Sequence, residues 1–448
     1  MKVAVIGAGI IGVTTAYELA ADGHRVSVFE RRSSVAAETS FANAGVIAPG
    51  YVTPWAAPGV PAMVLSQMMR RHAPVRVRAG FTPGTVSWLW QWWRACRLRT
   101  YRANRLRMQR LAGYSRDRLH ELTRHLQLDY ERADGYLVLL RTAKDQTLTE
   151  PGLASLTESG TRFTLIDAAQ CRVVEPGLSS ETALHGGIHL PDDEVGNCRE
   201  FAHLLRHEAQ RLGARFRFHT TVDKIIAGRQ PQLVHSHTPP NNPSTTGTAV
   251  AAEPRDAQDT EPMTLAPVTE GFDAIIVCAA LGAPALLRPH GLKLPLQAVH
   301  GYSLTAPLRL RDSHDDIGPR SALMDERYKV TISRLGARVR VAGSAEIGGS
   351  LEHHHAGAVE TLHKVLHDWF PGAARTAQAQ VWKGACPMLP DGPPVLGASG
   401  IDGVWLNLGH GSSGWALACG SARLLADGLA GRPAAIDTDG LGIERLRT

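Results

Sequence analysis

Gly7, Gly9 and Gly12, in the pattern G-x-G-x-x-G, and Glu30 are the residues whose types and spacing speak first for chemistry. Gly7 allows a tight turn, Gly9 lets the backbone approach a pyrophosphate, and Gly12 lets a helix pack closely on the strand before it. The helix N-terminus then faces phosphate charge, and Glu30 is placed to accept hydrogen bonds from a ribose diol. The chemistry implied is the holding of a dinucleotide, which requires these residues to share one strand-helix-strand unit.

The flanking sequence supplies that unit. Val3 to Ile6 is an apolar run of strand length, and Val13, Ala16, Leu19 and Ala20 recur at helical spacing up to Ala21. Gly23 stops the helix, and Arg25 to Phe29 reads as a second strand ending at Glu30.

The chain has 448 residues, 44% of them apolar, enough to bury a large core in two domains or one large composite of them. A formal charge of +6 suits an anionic substrate, a cofactor with two phosphates or an acidic membrane surface, and no nucleic-acid partner is expected. The 6 cysteines include no C-x-x-C, so neither a disulfide framework nor a zinc site is expected, and a reducing, cytoplasmic compartment is the default. Glycines and Glu18 interrupt the apolar start, which is therefore not read as a signal peptide. With no apolar stretch of membrane-spanning length, any membrane contact is expected to be peripheral.

Glu38 to Tyr51 is small, polar and glycine-bearing, which suits a loop along a ligand with Ser40 and the backbone of Asn43 to Gly45 as donors; an ordinary surface connection has the same composition. Trp88 to about Leu128 reads as a long helical region carrying Arg94, Arg97, Arg99, Arg102, Arg105, Arg107 and Arg110. Tryptophans beside a cationic helix suit a lipid interface, but the expectation is a helical cap whose tryptophans pack on its neighbours while the arginines are solvated. Tyr136 to Leu140 and Gly187 to Leu190 read as strands of a mixed or antiparallel sheet, and Phe201 to Leu212 as an amphipathic helix. Residues 230–270, crowded with Pro, Thr, Asn and Ser, read as a disordered excursion inserted into a hairpin, after which Phe272 to Ala280 is a buried strand. His353, His354 and His355, with His363 and His367, read as a solvated helix face: adjacent histidines rarely converge on one ion, and no metal is expected.

The full opening spacing, met by Gly7, Gly9, Gly12, Ala16, Leu19, Ala20, Gly23, Val26, Val28 and Glu30, resembles the N-terminus of FAD enzymes of the D-amino-acid oxidase type. The run Thr39 to Gly45 with its continuation Pro49 to Pro61 resembles more narrowly the bacterial D-amino-acid dehydrogenase small subunit family. Further stretches at Leu190–Cys198, Gly301–Thr305, Met324–Lys329, Pro387–Gly392 and Leu406–Gly411 carry the resemblance across nearly the whole chain in order.

The resemblance implies a Rossmann-like α/β FAD-binding domain, assembled discontinuously from residues 1–55, 196–290 and 376–448. An inserted α+β substrate domain, residues 56–195 and 291–375, is implied on a mixed or antiparallel sheet. FAD is implied to lie along Val5, Gly7, Ala8, Gly9, Ile10, Ile11 and Gly12, with Glu30 and Arg31 at its ribose end. Ser40, Asn43, Ala44 and Gly45 are implied to follow its length, Val222 to reach the adenine, Ala279 the pyrophosphate, and Gly384 to be a further cofactor-binding residue. Gly409, His410, Gly411, Ser412 and Ser413 form a second G-x-G-x-x-G with Gly414, but no strand with a terminal acid follows the helix, as a nicotinamide nucleotide site would need. A helix N-terminus here would instead point at the flavin pyrimidine, where reduction places negative charge.

The implied activity is oxidative deamination of D-amino acids by hydride transfer to flavin N5, giving 2-oxo acids and ammonia, with electrons passed to a quinone or another carrier. One departure matters. The family usually shows Gly-x-Arg-Pro-Met, whose arginine clamps the substrate carboxylate. This chain has Gly384-Ala385-Cys386-Pro387-Met388 there, and His300 stands where lysine is common. Tyr302, Tyr328, Arg334, Lys383 and His300 are the candidates for the missing donor, and Tyr302, Tyr328, Cys386 and His410 the candidate catalytic residues. Alternatives left open are a dehydrogenase of another amine or a cyclic imino acid such as a D-proline derivative, a flavin-binding protein whose catalysis has lapsed, and a thioether from Cys386 to flavin.

Overall fold

The structure is a computed structural model that describes residues 1–67, 72–78, 82–238, 266–309 and 317–447. Strands Lys2–Ile6 and Arg25–Phe29 pair in parallel, Ile6 opposite Phe29, with helix Ile10–Ala21 as their crossover. Ala274–Val277 lies parallel on the other side, Ile6 opposite Val277, followed outward by Val404–Leu408 and, antiparallel, Val395–Ala398. Arg215–Arg217 completes this six-stranded sheet beside Arg25–Phe29. A parallel sheet is covered on both faces, hence its continuous apolar runs. Helices Ile10–Ala21, Cys198–Arg211 and Gly414–Leu429 cover one face through Val13, Leu19, Phe201, Leu205, Trp415 and Leu425. The antiparallel strands Thr220–Ile226, Gln232–His237 and Val268–Gly271 cover the other through Ile225, Leu233 and Phe272.

A second, ten-stranded mixed sheet runs in the order Gln380–Met388, Gln297–Pro307, Arg338–Ile347, Val330–Leu335, Ala322–Asp325, Ala133–Leu140, Gly186–Val195 and Val46–Ile47, with Val75–Val77 and Thr164–Asp167 paired off this path. Helix Ala356–Trp369 packs on one face through Tyr302, Leu304, Ile332, Val341 and Trp369. Across the other face lies the loop containing Asn43 and Ala44, whose carbonyls accept hydrogen bonds from Arg340 and Ser333.

Three expectations change. Val46–Ile47 and Gln380–Met388 hydrogen-bond into the large sheet, so the boundaries at 55 and 376 cut across it. The long helical region is two helices, Pro83–Ala95 and Leu98–Leu126, because the backbone leaves the helix at Arg97 with ψ 136°. Much of the excursion, residues 239–265, lies outside the described residues; its ends are strands instead, paired from Gln232 opposite Gly271 to His235 opposite Val268.

Candidate functional site

The three opening glycines do different work. A Cβ on Gly7, whose φ is +101°, would stand 2.8 Å from the Cys278 carbonyl oxygen, and one on Gly12 would stand 1.9 Å from that of Gly7. These two are required by packing between helix and strands. A Cβ on Gly9 would meet only Ser40 Oγ at 3.6 Å, so the surface above Gly9 is clear of protein. The N-cap residue of helix Ile10–Ala21 is Gly9, which has no side chain to cap it, and no acid lies in the first turn. Ser40 Oγ accepts from Ile10 N at 3.1 Å.

Glu30 is held by its own turn: Oε2 accepts from Ala8 N at 2.7 Å and Oε1 from Arg32 N at 2.8 Å. Each carboxylate oxygen retains acceptor capacity for a ribose hydroxyl. Arg31, expected beside the cofactor, is instead engaged by Glu38 at 2.7 and 2.9 Å in an exposed ion pair. Thr220 N donates to the Glu30 carbonyl at 2.9 Å, which sets the strand carrying Val222 beside this end of the site. Ala279 lies at the Gly7 turn, its Cα 3.4 Å from the Gly7 Cβ position.

The closing loop meets the same region. Helix Gly414–Leu429 also begins with no side-chain cap and no acid in its first turn. It packs on helix Ile10–Ala21, where Thr14 Oγ1 donates to the Ala418 carbonyl at 3.3 Å, and Trp415 Nε1 donates to the Gly45 carbonyl at 3.1 Å. Both glycine loops therefore converge on the segment Ser40 to Gly45, which folds on itself through Gly45 N to Asn43 Oδ1 at 3.0 Å. Gly411 is required where a Cβ would stand 2.6 Å from Met388 Sδ, while Ser412 is exposed and Ser413 half-buried. His410 is corrected as a catalytic candidate: its imidazole is 3% exposed and bonded to Ser421 Oγ at 3.1 Å. Burial pushes its pKa down to about 3, leaving a neutral structural group.

On the large sheet, alternation decides which side chains share the site. Cys386 stands opposite Val299 and Gly384 opposite Gly301, whereas Tyr302 stands opposite Lys383 on the other face. Tyr302 is thus corrected: it is 2% exposed, donates to the Glu346 carboxylate and accepts from His355 N at 3.1 Å. Lys383 is spent on Glu346 at 3.1 Å and on the carbonyls of Ser350 and His353 at 2.8 and 2.9 Å. His300 bonds the Gly348 carbonyl at 3.0 Å through Nδ1 and is kept neutral chiefly by burial. Arg334 Nε and Nη1 donate to the carbonyls of Gly336 and Pro319. Tyr328 lies half-buried in the turn after Ala322–Asp325, its ring packed by Arg141 and Lys364 with the residues that meet helix Ala356–Trp369, and is corrected because these contacts place it on that side of the sheet, away from Cys386.

Cys386 is half-buried beside Trp55, Trp88, Val299 and Met388. Burial pushes its thiol up to about 11, so it remains protonated, which argues against ready thioether formation. Gly384 is required by the Trp382 indole, which a Cβ would strike at 1.8 Å.

Two arginine-helix expectations also change. Trp88 is buried with Nε1 on the Met388 carbonyl at 3.0 Å, but Trp90 and Trp93 are 55% and 58% exposed. Arg105, taken as solvated, is only 7% exposed, because it falls in the stripe of Asn104, Met108, Leu111 and Ala112 that packs inward. That spacing was the available signal for it.

A clear surface above Gly9, uncapped helix N-termini at both loops and a carboxylate with spare acceptors fit a cofactor with a ribose and a diphosphate. A family model described as FAD dependent oxidoreductase matches residues 2–428. A protein named D-amino acid dehydrogenase from Rhizorhabdus wittichii is 42% identical over 99% of this chain and 100% of its own length. One of the same name from Cereibacter sphaeroides is 41% identical over 99% of this chain and 95% of its own. Among solved structures, glycine oxidase from Geobacillus kaustophilus superposes with a TM-score of 0.70 at 19% identity, covering 99% of this chain and 98% of that one. L-proline dehydrogenase from P. horikoshii gives a TM-score of 0.67 at 13% identity, covering 100% and 97%. These two establish likeness of fold.

Proposed function

The chain belongs to the FAD-dependent oxidoreductase family, and from that premise we propose that it oxidises D-amino acids to 2-oxo acids and ammonia and delivers the electrons to a quinone or another carrier. The observation that carries this reading is the convergence of two uncapped helix N-termini on the segment Ser40 to Gly45, beside the sheet face that bears Cys386. The relatives named D-amino acid dehydrogenase support the choice of substrate.

FAD, held along Gly7 to Gly12, Glu30 and the Gly409 to Ser413 loop, would supply the electron sink for a hydride leaving the substrate Cα. The protein's part is positional. The backbone from Gly409 to Ser413 and the helix it leads into direct N–H groups and a positive dipole end at one pole of the site, where added negative charge is favoured. Burial makes the His410 imidazole, tied to Ser421 Oγ, too weak a base and keeps the Cys386 thiol protonated, so neither supplies a base, and turnover depends on orientation of an amine that binds deprotonated.

A peripheral attachment to the cytoplasmic face of an inner membrane belongs to the same reading. Among the described residues no helix is long and apolar enough to cross a membrane. Exposed Val86, Trp90, Trp93 and Leu98 stand among Arg94, Arg97, Arg99 and Arg102, which are exposed and pair with no carboxylate among the described residues. Such a surface suits anionic lipid.

Anaerobic mixing of the holoprotein with a panel of D- and L-amino acids and cyclic amines tests the activity. Bleaching of the flavin by D-isomers supports it; bleaching by cyclic amines alone replaces the substrate, and none at all indicates lapsed catalysis. Co-sedimentation with anionic vesicles, lost on Trp90→Ala/Trp93→Ala, tests the attachment.

A further inference from the structure

An amino acid brings a carboxylate that needs a cation, and Cys386 is not one. Resting on the substrate reading above, we propose that Arg105, on helix Leu98–Leu126, holds the substrate carboxylate, with Tyr51 beside it. Helix Leu98–Leu126 is fixed at two points around this residue: Asn104 Nδ2 donates to the Asp391 carbonyl at 3.0 Å, and Gln109 Nε2 to the Gly50 carbonyl at 2.9 Å. The first contact lies just past the strand that carries Cys386, the second just before Tyr51.

Arg105 is buried to 7% exposure, yet among the described residues its guanidinium makes one hydrogen bond, from Nη1 to Tyr101 Oη at 3.3 Å. Its Nε is buried without a partner, and no carboxylate pairs with it among the described residues. A buried guanidinium left so is costly until an anion arrives, and its planar fork suits a carboxylate. Arg105 is also felt at Tyr51, where it opposes the upward push that burial gives the hydroxyl. The Tyr51 ring stands edge-on to Tyr136, their centroids 5.6 Å apart. Pairing carries Tyr136 through Ala322, Ser333, Arg340 and Thr305 to Gln380, and so onto the same sheet face as Cys386. Arg340, the other buried arginine on that face, is already engaged, donating to Thr305 Oγ1 at 3.0 Å and to the Asn43 carbonyl at 3.1 Å.

The test compares holoprotein of wild type, Arg105→Met, Arg105→Lys and Arg105→Met/Cys386→Arg, each checked for flavin content and thermal midpoint. Two quantities are read: half-saturation of flavin bleaching by the best D-amino acid and by its carboxamide, and binding of benzoate from the perturbed flavin spectrum. Arg105→Met should weaken the amino acid and benzoate about thirtyfold or more and spare the carboxamide. Arg105→Lys should fall between, and Cys386→Arg should restore part of the loss by supplying the cation from the sheet. Wild-type benzoate and amino-acid binding in fully flavinated Arg105→Met would overturn the assignment. Should Arg105→Met not fold, unchanged binding in Arg105→Lys and in Tyr51→Phe together would overturn it equally. If benzoate binding depends on Arg105 while no D-amino acid bleaches wild type, the anion site stands and the substrate reading is what fails.

Discussion

Trp415 Nε1 donates to the Gly45 carbonyl at 3.1 Å, and the same carbonyl accepts from Gly196 N at 2.9 Å. One oxygen therefore ties the closing helix to the loop that leaves the six-stranded sheet and to the end of a strand of the ten-stranded sheet. The indole is seated by Phe201 and Tyr130 at 4.9 and 6.1 Å between centroids. Trp415→Phe keeps an aromatic ring and leaves the carbonyl its second donor, so stability should fall by only about 1 kcal/mol plus any packing loss. The larger effect should be on the cofactor: FAD release on dilution, followed by its fluorescence, should quicken well beyond what the change in unfolding midpoint accounts for.

Gly9 and Gly12 should part company under the same substitution. Gly12→Ala drives a methyl to 1.9 Å from the Gly7 oxygen and should yield misfolded, colourless protein. Gly9 has an ordinary φ of −64°, and its Cβ position meets only Ser40 Oγ at 3.6 Å. Gly9→Ala apoprotein should unfold within about 1 kcal/mol of wild type, since only an N-cap preference is lost, while its affinity for FAD falls at least about tenfold, or 1.4 kcal/mol. Titration of apoprotein with FAD beside urea unfolding decides it; undiminished FAD binding by Gly9→Ala would move the diphosphate elsewhere.

How far the fold was legible follows from where each signal is stored. The opening unit was readable because Gly7, Gly9, Gly12 and Glu30 encode local geometry within one βαβ stretch. The closing loop was readable as a partner only through resemblance, since its approach to Ile10–Ala21 is a contact between chain ends, such as Thr14 with Ala418. Tyr302 was misplaced for a reason of parity: an aromatic beside a glycine marks a strand, but which face it takes depends on register, and a one-residue difference exchanges core for site. Arg105 was hidden by composition, because a run of arginines looks solvated until helical spacing sets one of them in the packed stripe.

Glu18 is fully buried, accepting from Arg118 Nε and Nη2 at 2.8 and 2.9 Å and from Arg423 Nη1 at 2.8 Å. This carboxylate joins the opening, long and closing helices, so the sheet-covering layer depends on it. Glu18→Gln keeps the shape but removes the buried carboxylate that Arg118 and Arg423 share; Glu121 still pairs with Arg118, and Asp22 and Asp427 with Arg423, so the loss should be about 1 to 3 kcal/mol. Unfolding of Glu18→Gln, Arg118→Met and the double variant forms the check. The double variant should be less unstable than the two single losses summed, since both single changes break the same Glu18–Arg118 pair.

Asp193 should make stability depend on pH in an identifiable window. It is 2% exposed with Oδ2 lacking a partner, and its pKa is raised to about 7, mainly by burial, with Asp192 and Glu194 adding and Arg116 opposing. Between the ordinary value of 3.8 and about 7 the unfolded chain has lost a proton that the folded chain still holds. The favourable contribution is therefore complete below that window and disappears as pH rises through it, at about 1.4 kcal/mol per pH unit. Asp193→Asn carries no titrating proton and should lack this slope. Urea unfolding of both proteins at about pH 5, 6 and 7 isolates it, because every other group is common to the two. The wild-type curve should lose ground to the variant at each step; parallel curves would mean that Asp193 is already ionised in the fold, with water or a cation reaching its free oxygen.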